Sequence, residues 1–506
     1  MLFNSFNFLL FFPIVTTLYF LLPHKFRWLF LLLASCYFYM FFIPVYILIL
    51  FLTVLVDYFA AIYIERTEGK RRKFYLVISI LSTLTILFVF KYYNFFIGNF
   101  NFIATQFHST IRANTLSIIL PIGLSFHTFQ SLSYVIEVYR KAQKAERHFG
   151  IYMLYVMFYP QLVAGPIERP QNLLHQFYEK HRFESDRVIA GIKMMLWGLF
   201  KKVVIADNLS ALVDQVYNHP YKYNGLSLAI ATVFFAIQIY CDFSGYSEMA
   251  IGAAKVMGFN LMQNFNKPYF STSIKEFWTR WHISLSTWFK DYVYIPLGGN
   301  RVPGFRYAFN ILITFLISGF WHGASWTYVI WGGLHGTYLV TGYFSNNLYA
   351  RAGLPVLKVS SPFLNRGMAS GKTAFVFFLV CVTWVFFRGN SVRDCVYIFR
   401  SILIETPRQV LNWLHLFKEW ATGKCHLDQL ADYGHFTIPF EKSSLIIAAV
   451  SITFLFLMEG VSGKLDVTDF LSSKRRIISW PLYYFLILGI LFLGVFENRS
   501  FIYFQF

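Results

Sequence analysis

Long apolar runs separated by short polar turns dominate this chain. The runs Phe8 to Leu22, Arg27 to Met40, Phe41 to Ile64, Phe74 to Phe96, Leu116 to Ile136, Val188 to Ile205, Leu226 to Tyr240, Phe309 to Gly319, Thr373 to Phe387, Ser444 to Met458 and Trp480 to Phe496 are long enough to cross or re-enter a bilayer. Several are short for a full crossing, and Pro and Gly interruptions blur their ends. The pattern therefore predicts an all-α polytopic membrane protein with roughly 10 to 13 membrane-embedded helices, plus interfacial ones. Neither a long linker nor an internal repeat divides it, so residues 1–506 read as one domain, with a motif-bearing core at about 117–345. The least hydrophobic stretch, 388–443, is expected to hold the longest loops.

One segment carries a different pattern. In "KPYFSTSIKEFWTRWHISLSTWFKDYVYIPLGGNR", residues 267–301, Ser273 followed by Glu276 has capping-box spacing and starts a helix at about Ile274. Continued as one helix, it puts Ile274, Phe277, Trp278, Trp281, Leu285, Trp288 and Phe289 on one face, and Lys275, Thr279, His282 and Ser286 on a polar stripe beside it. Tryptophans next to Arg280 and Lys290 place such a helix near the membrane interface. His282 then sits on the border of the two faces, as part of a site or as an incidental residue of an anchor helix.

Composition strengthens the membrane reading: 57% of the residues are hydrophobic and only 14% charged, far from a soluble domain. A net charge of +19 would suggest nucleic acid in a soluble protein. Here the basic residues gather in short loops, the positive-inside pattern, and no nucleic-acid partner is expected. The loops Glu65 to Lys73 and Tyr139 to His148 are basic, whereas Gly98 to Thr115 carries only Arg112. The parity puts the basic loops and the turn His24 to Arg27 in the cytoplasm, and the Arg112 loop and the N-terminus outside. The first apolar run reads as a retained span, since no basic flank precedes it and no A-x-A site follows. The five cysteines are scattered without C-x-x-C spacing, which supports neither a disulfide framework nor a zinc site.

The chemistry-bearing stretch is "ISGFWHGASWTYVIWGGLHG", residues 317–336. On one continuous helix, His322 and His335 would lie about 20 Å apart and nearly on opposite faces, so they cannot share a metal or a proton. Gly332 and Gly333 are positions where such a helix could break. Away from water an imidazole is expected to be neutral, the state a general base needs. For either residue the alternative is a structural histidine bonded across helices.

Beyond these two patterns, the blocks "PIGLSFHTFQSLSYVIEVYR" (121–140), "LVAGPIERPQNL" (162–173), "DFSGYSEMAIG" (242–252), the 264–301 segment, "FWHGASWTYVIWGGLHG" (320–336), "WVFFR" (384–388) and the terminal "FIYFQF" occur in order. Together they resemble the membrane-bound O-acyltransferase (MBOAT) superfamily, in the bacterial branch that includes the alginate O-acetylation membrane protein and the peptidoglycan O-acetyltransferases. The resemblance implies acyl transfer from a cytoplasmic thioester, acetyl-CoA, toward a hydroxyl across the membrane. It puts the family's near-essential histidine on His322 and a second functional position on His282. It also implies a bacterial cytoplasmic (inner) membrane location, a polysaccharide acceptor and an extracytoplasmic SGNH-hydrolase-like partner. Glu137 and Glu248 stand where relatives often have Asp.

Transfer to an alcohol needs a base, an oxyanion partner and a shielded path. His322 is the expected base, with Tyr328 and Ser325 as candidate orienting or oxyanion partners. Lys201, Lys202, Lys267, Arg280, Lys290 and Arg301 are candidates for the donor's phosphates, and Asp242 for orienting a histidine or capping a helix. No bound cofactor or metal is expected, and there is no P-loop or G-x-G-x-x-G. One cavity is expected to connect His282, on the cytoplasmic side, with His322 deeper in. The competing readings are a proton-coupled transporter with His322, His282 and Asp242 as relay, and a non-catalytic membrane scaffold.

Overall fold

A computed structural model describes residues 1–351, 362–422, 440–463, 465, 467–473, 476–496 and 501–502, and within them the chain is helical without strands. Among the described residues, six helices are long and apolar enough to cross a bilayer: Pro44–Arg66, Gly69–Gln106, Gly225–Met257, Gly304–His322, Gly367–Arg388 and Lys442–Val461. Shorter apolar helices, Phe6–Leu21 and Ser479–Leu493, join them. Of the terminal "FIYFQF" block, only Phe501 and Ile502 are among the described residues.

Gly225–Met257 is the hub. Protein covers 72% of its most apolar window but only 17% of that of Gly69–Gln106, so the first is central and the second faces lipid. The apolar run Leu226 to Tyr240 accounts for half of this helix. The helix continues through "DFSGYSEMAIG" because the polar side chains there meet protein groups: Ser244 accepts from Lys201 Nζ at 2.9 Å and Ser247 from Asn264 Nδ2 at 3.1 Å. Its partner, Ser185–Phe200, crosses it backbone to backbone. A Cβ on Gly245 would stand 2.6 Å from the Gly198 carbonyl oxygen, and one on Gly252 2.6 Å from that of Gly191. Glycines seven residues apart on both helices permit this approach.

The basic loops gather on one face. Arg147 pairs with Glu65, Arg72 donates to the Tyr139 carbonyl at 2.6 Å, and Arg27 donates to the His181 carbonyl at 2.6 Å. The loops that the charge pattern assigned to one side thus touch each other.

Three local expectations are corrected. The run Leu116 to Ile136 is not one helix. Residues 109–121 are irregular, and the helix Leu124–Tyr139 starts after Gly123 at φ 78°. Asparagine side chains replace helical hydrogen bonds there: Asn94 bonds both backbone groups of Leu116 at 2.8 Å, and Asn101 those of Ala113 at 2.9 and 3.0 Å. Second, the stretch 388–443 is helical over Val392–Ala421. Glu405 and Gln409 on that helix accept the N–H groups of Gly225 and Leu226 at 2.8 and 3.0 Å and so cap the central helix. Residues 423–439 lie outside the described residues.

Third, the 267–301 segment forms two helices. The predicted N-cap is present, since Ser273 Oγ accepts from the Glu276 N–H at 3.1 Å, while Glu276 reaches back one residue further, to the Thr272 N–H at 2.8 Å. Partial burial pushes the Glu276 carboxyl up, but the Thr272 donors and Arg280 outweigh it and hold it below the usual range. The helix Ile274–Arg280 then stops, because His282 takes a left-handed conformation (φ 43°, ψ 56°) before Ile283–Phe289 begins. The result is a sharp turn that sends Ser284, Leu285, Trp288 and Phe289 into the bundle, in place of one continuous helix.

The glycine crossing makes a direct prediction. Gly245→Ala is expected to cost about 1 to 3 kcal/mol through overpacking against Gly198, read as a lower thermal unfolding temperature in detergent.

Candidate active site

His322 is the last residue of Gly304–His322, and the chain turns back at Gly323 into the helix Trp326–Arg351. The two histidines of the 317–336 stretch therefore lie on antiparallel helices and not along one. Gly332 does not break its helix. A Cβ there would stand 2.2 Å from the Phe315 carbonyl oxygen, and one on Gly319 2.2 Å from that of Tyr328, so these glycines let the two helices touch. Trp331 stands between the imidazoles, its ring centroid 5.0 Å from that of each.

The surroundings separate their roles. His335 is buried and fully bonded: Trp278 Nε1 donates to its Nδ1 at 3.3 Å, and its Nε2 lies 2.9 Å from Thr383 Oγ1. Thr383 gives its own proton to the Val380 carbonyl at 2.7 Å, so Nε2 carries the hydrogen and donates. His335 is a neutral cross-link between three helices.

His322 sits among the rings of Trp321, Trp331 and Phe387, with centroids at 4.9, 5.0 and 5.4 Å. It lines a small, partly open cavity of about 40 Å³ together with Trp321, Phe126, Ser125, Lys91, Val163 and the turn 120–124. That turn follows the irregular segment 109–121, at the end of the bundle away from the basic loops. Trp326 reaches Asn99 at 2.9 Å at the same end.

His282 is fully buried among Phe243, Phe126 and Phe265, at 4.6, 6.3 and 6.4 Å between ring centroids. It does not line the His322 cavity; Phe126 and Trp321 stand between them, 5.6 Å apart. The cavity that His322 lines does not include His282, and the aromatic layer of Phe126 and Trp321 touches both imidazoles. On its other side Phe265 walls a second cavity of about 190 Å³, with Glu248, Glu459, Asn264, Ser247 and Lys267. That cavity opens beside the loop 258–267, whose Asn260 bonds Gln176 near the basic face. His282 lines neither cavity but contacts one wall residue of each, Phe126 and Phe265.

The remaining expected site residues are placed as follows. Asp242 neither orients a histidine nor caps a helix. It lies inside the central helix, 2.7 Å from Lys202 Nζ, and accepts the Ile502 N–H at 2.8 Å. Lys202 also pairs with Asp207 at 2.8 Å, and Lys201 with Glu248 at 2.6 Å. Burial with these partners commits both lysines to the bundle, against the expectation that they meet donor phosphates. Lys267 is likewise engaged, holding Ser462 Oγ and the Gly463 and Leu465 carbonyls at 2.6 to 2.8 Å. Arg280 pairs with Glu276 at 2.5 Å, while Lys290 and Arg301 face solvent. Tyr328 packs against Phe387 at 5.0 Å, and neither it nor Ser325 is part of the cavity wall. Ser325 instead lies 3.1 Å from Thr327 Oγ1 at its helix start. Glu137 joins Tyr292, Arg140 and Gln171, at 2.8, 3.3 and 2.9 Å.

Two buried groups stand outside the expected set. Glu168, in the "GPIERP" loop, accepts from the Met262 N–H and from Asn172 Nδ2; burial nevertheless pushes its carboxyl up to about 7. Lys91 lines the His322 cavity from the lipid-facing helix. It is the only charged residue in the run Phe74 to Phe96, which is the signal that would have found it.

This helical membrane bundle, with an aromatic cage around the cavity-lining His322, belongs to the membrane-bound O-acyltransferase family, whose family model matches residues 148–381. The chain is 40% identical over 400 residues to a protein of Azotobacter vinelandii described as "Probable alginate O-acetylase AlgI", covering 78% of this chain and 76% of that one. The corresponding protein of Pseudomonas aeruginosa is 39% identical (78% and 73% covered), and the "Peptidoglycan O-acetyltransferase" of Helicobacter pylori 34% identical (74% and 73%). The protein is an O-acyltransferase embedded in a membrane. The transporter and scaffold readings give way to this membership.

Thr383→Val removes the acceptor for His335 Nε2–H. It is expected to cost about 2 kcal/mol of stability, seen as a lower unfolding temperature, with turnover per folded molecule unchanged.

Proposed function

We propose that this protein takes an acetyl group from a cytoplasmic thioester donor, acetyl-CoA, and delivers it across the membrane for O-acetylation of an exported or cell-surface polysaccharide, with His322 as general base. The observation that carries the reading is the contrast among the three histidines of the motifs. His335 is consumed by Trp278 and Thr383, His282 is sealed among three phenyl rings, and His322 alone lines a cavity. In this reading the His322 imidazole takes the acceptor's hydroxyl proton as that oxygen attacks the thioester carbonyl. The tetrahedral oxyanion collapses, the thiolate leaves, and the imidazolium returns the proton to sulfur.

The two cavities give the reaction its sides. The larger one opens toward the basic loops, which by the positive-inside rule face the cytoplasm of a bacterial inner membrane, and this leaves the N-terminus outside. The donor approaches from there, with solvent-facing Lys290 and Arg301 near its phosphates and Arg280 beside them. The His322 cavity opens at the other end, toward the acceptor and an extracytoplasmic SGNH-hydrolase-like partner. His282 lies at the constriction between, where its ring stack with Phe126 lines the passage an acyl group takes when the aromatic layer parts. Acetyl groups and glycan acceptors are what the names of the alginate and peptidoglycan relatives give for those proteins, and their coverage of this chain supports carrying both over.

The test is release of CoA from acetyl-CoA by protein in nanodiscs, with the SGNH-hydrolase-like partner added in a second series. His322→Ala is expected to lower turnover about 100- to 10,000-fold, the range of a lost general base, and His335→Ala at matched folding to retain most of it. Turnover that survives His322→Ala would remove this imidazole from the chemistry.

A further inference from the structure

Lys91 is the single charged side chain in the run Phe74 to Phe96 of a largely exposed span, a costly placement unless the group is used. Its Nζ donates to the Trp321 carbonyl at 2.7 Å and the His322 carbonyl at 3.1 Å, and lies 3.4 Å from Ser125 Oγ. These carbonyls end the His322 helix, where backbone acceptors lack intrahelical partners and the helix dipole favours a cation. A π-turn, Phe88–Tyr92, brings Lys91 inward, and the next residue, Tyr92, stacks on Phe320 with centroids 4.4 Å apart. Two consecutive side chains of one π-turn therefore grip the same helical turn that presents His322. Such turns recur at functional sites.

Capping alone does not require a charge, since a neutral donor would satisfy the same carbonyls at lower cost in lipid. We propose that Lys91 is a positioning residue: its ammonium, anchored on the Trp321 and His322 carbonyls, fixes the last turn of the helix so that the imidazole faces the cavity. This rests on the reading of His322 as the base. Lys91 acts through His322, so its loss lowers kcat and leaves donor binding intact.

The test uses full-length protein in nanodiscs. Lys91→Met is expected to lower kcat about 100-fold, the scale of a displaced catalytic group, with the donor KM unchanged. Lys91→Cys is expected to behave alike, and alkylation with 2-bromoethylamine, which rebuilds an ammonium at lysine length, to restore most of the turnover; alkylated wild type is the control. A second readout is independent of turnover: the rate of carbethoxylation of His322 by diethylpyrocarbonate, followed by peptide mass spectrometry, should change severalfold in Lys91→Met and return after aminoethylation. Lys91→Gln, which keeps a donor without charge, replaces Lys91→Met if that variant does not fold. Wild-type kcat and wild-type carbethoxylation in a folded neutral variant would overturn the proposal, as would a kcat loss that aminoethylation does not reverse. If wild type releases no CoA, the carbethoxylation series still decides on Lys91, and only the acyl-transfer reading fails.

Discussion

A bilayer offers no hydrogen bonds to groups buried in it, so each polar atom in this bundle has to find its partner within the chain. That constraint organises the molecule. Asparagine side chains hold the irregular backbone at 109–121, Glu405 and Gln409 cap the central helix, and Lys201 and Lys202 are matched by Glu248, Asp207 and Asp242. The same accounting separates the histidines of the 317–336 stretch. An imidazole whose two nitrogens are both committed, as in His335, is a strut; His322 instead lines a cavity.

Close backbone approach is the second device. Glycine pairs bring Ser185–Phe200 against the central helix and Gly304–His322 against Trp326–Arg351. Without a hydrophobic drive between helices in lipid, such contacts supply packing that larger side chains would prevent. They also fix where Trp331 falls, and Trp331 keeps the two imidazoles apart. Packing and chemistry thus share one pair of helices.

Much of this was legible in the sequence. Apolar runs marked the spans, and the basic loops they separate do meet on one face. Ser273 and Glu276 announced a helix start that is present. The end of that helix was not legible, because nothing in "RWHISL" announces a left-handed residue, and His282 enters the core through that single φ value. Hydropathy also hid the division of labour among cations. Lys201 and Lys202 resemble loop lysines until a π-turn, Lys201–Ala206, faces them inward to carboxylates distant in sequence. Lys91 was overlooked for the opposite reason: one charge in a long apolar run barely changes its hydropathy, although its rarity there is the informative fact.

Vectorial acyl transfer through His322 can be followed in two-sided proteoliposomes. Acetyl-CoA is supplied only on the side of the basic loops, with a glycan acceptor and the SGNH-hydrolase-like partner sealed on the other. The account predicts ester on the sealed glycan from wild type and none from His322→Ala. Ester that forms only when donor and acceptor share a compartment, or that persists without His322, would contradict it.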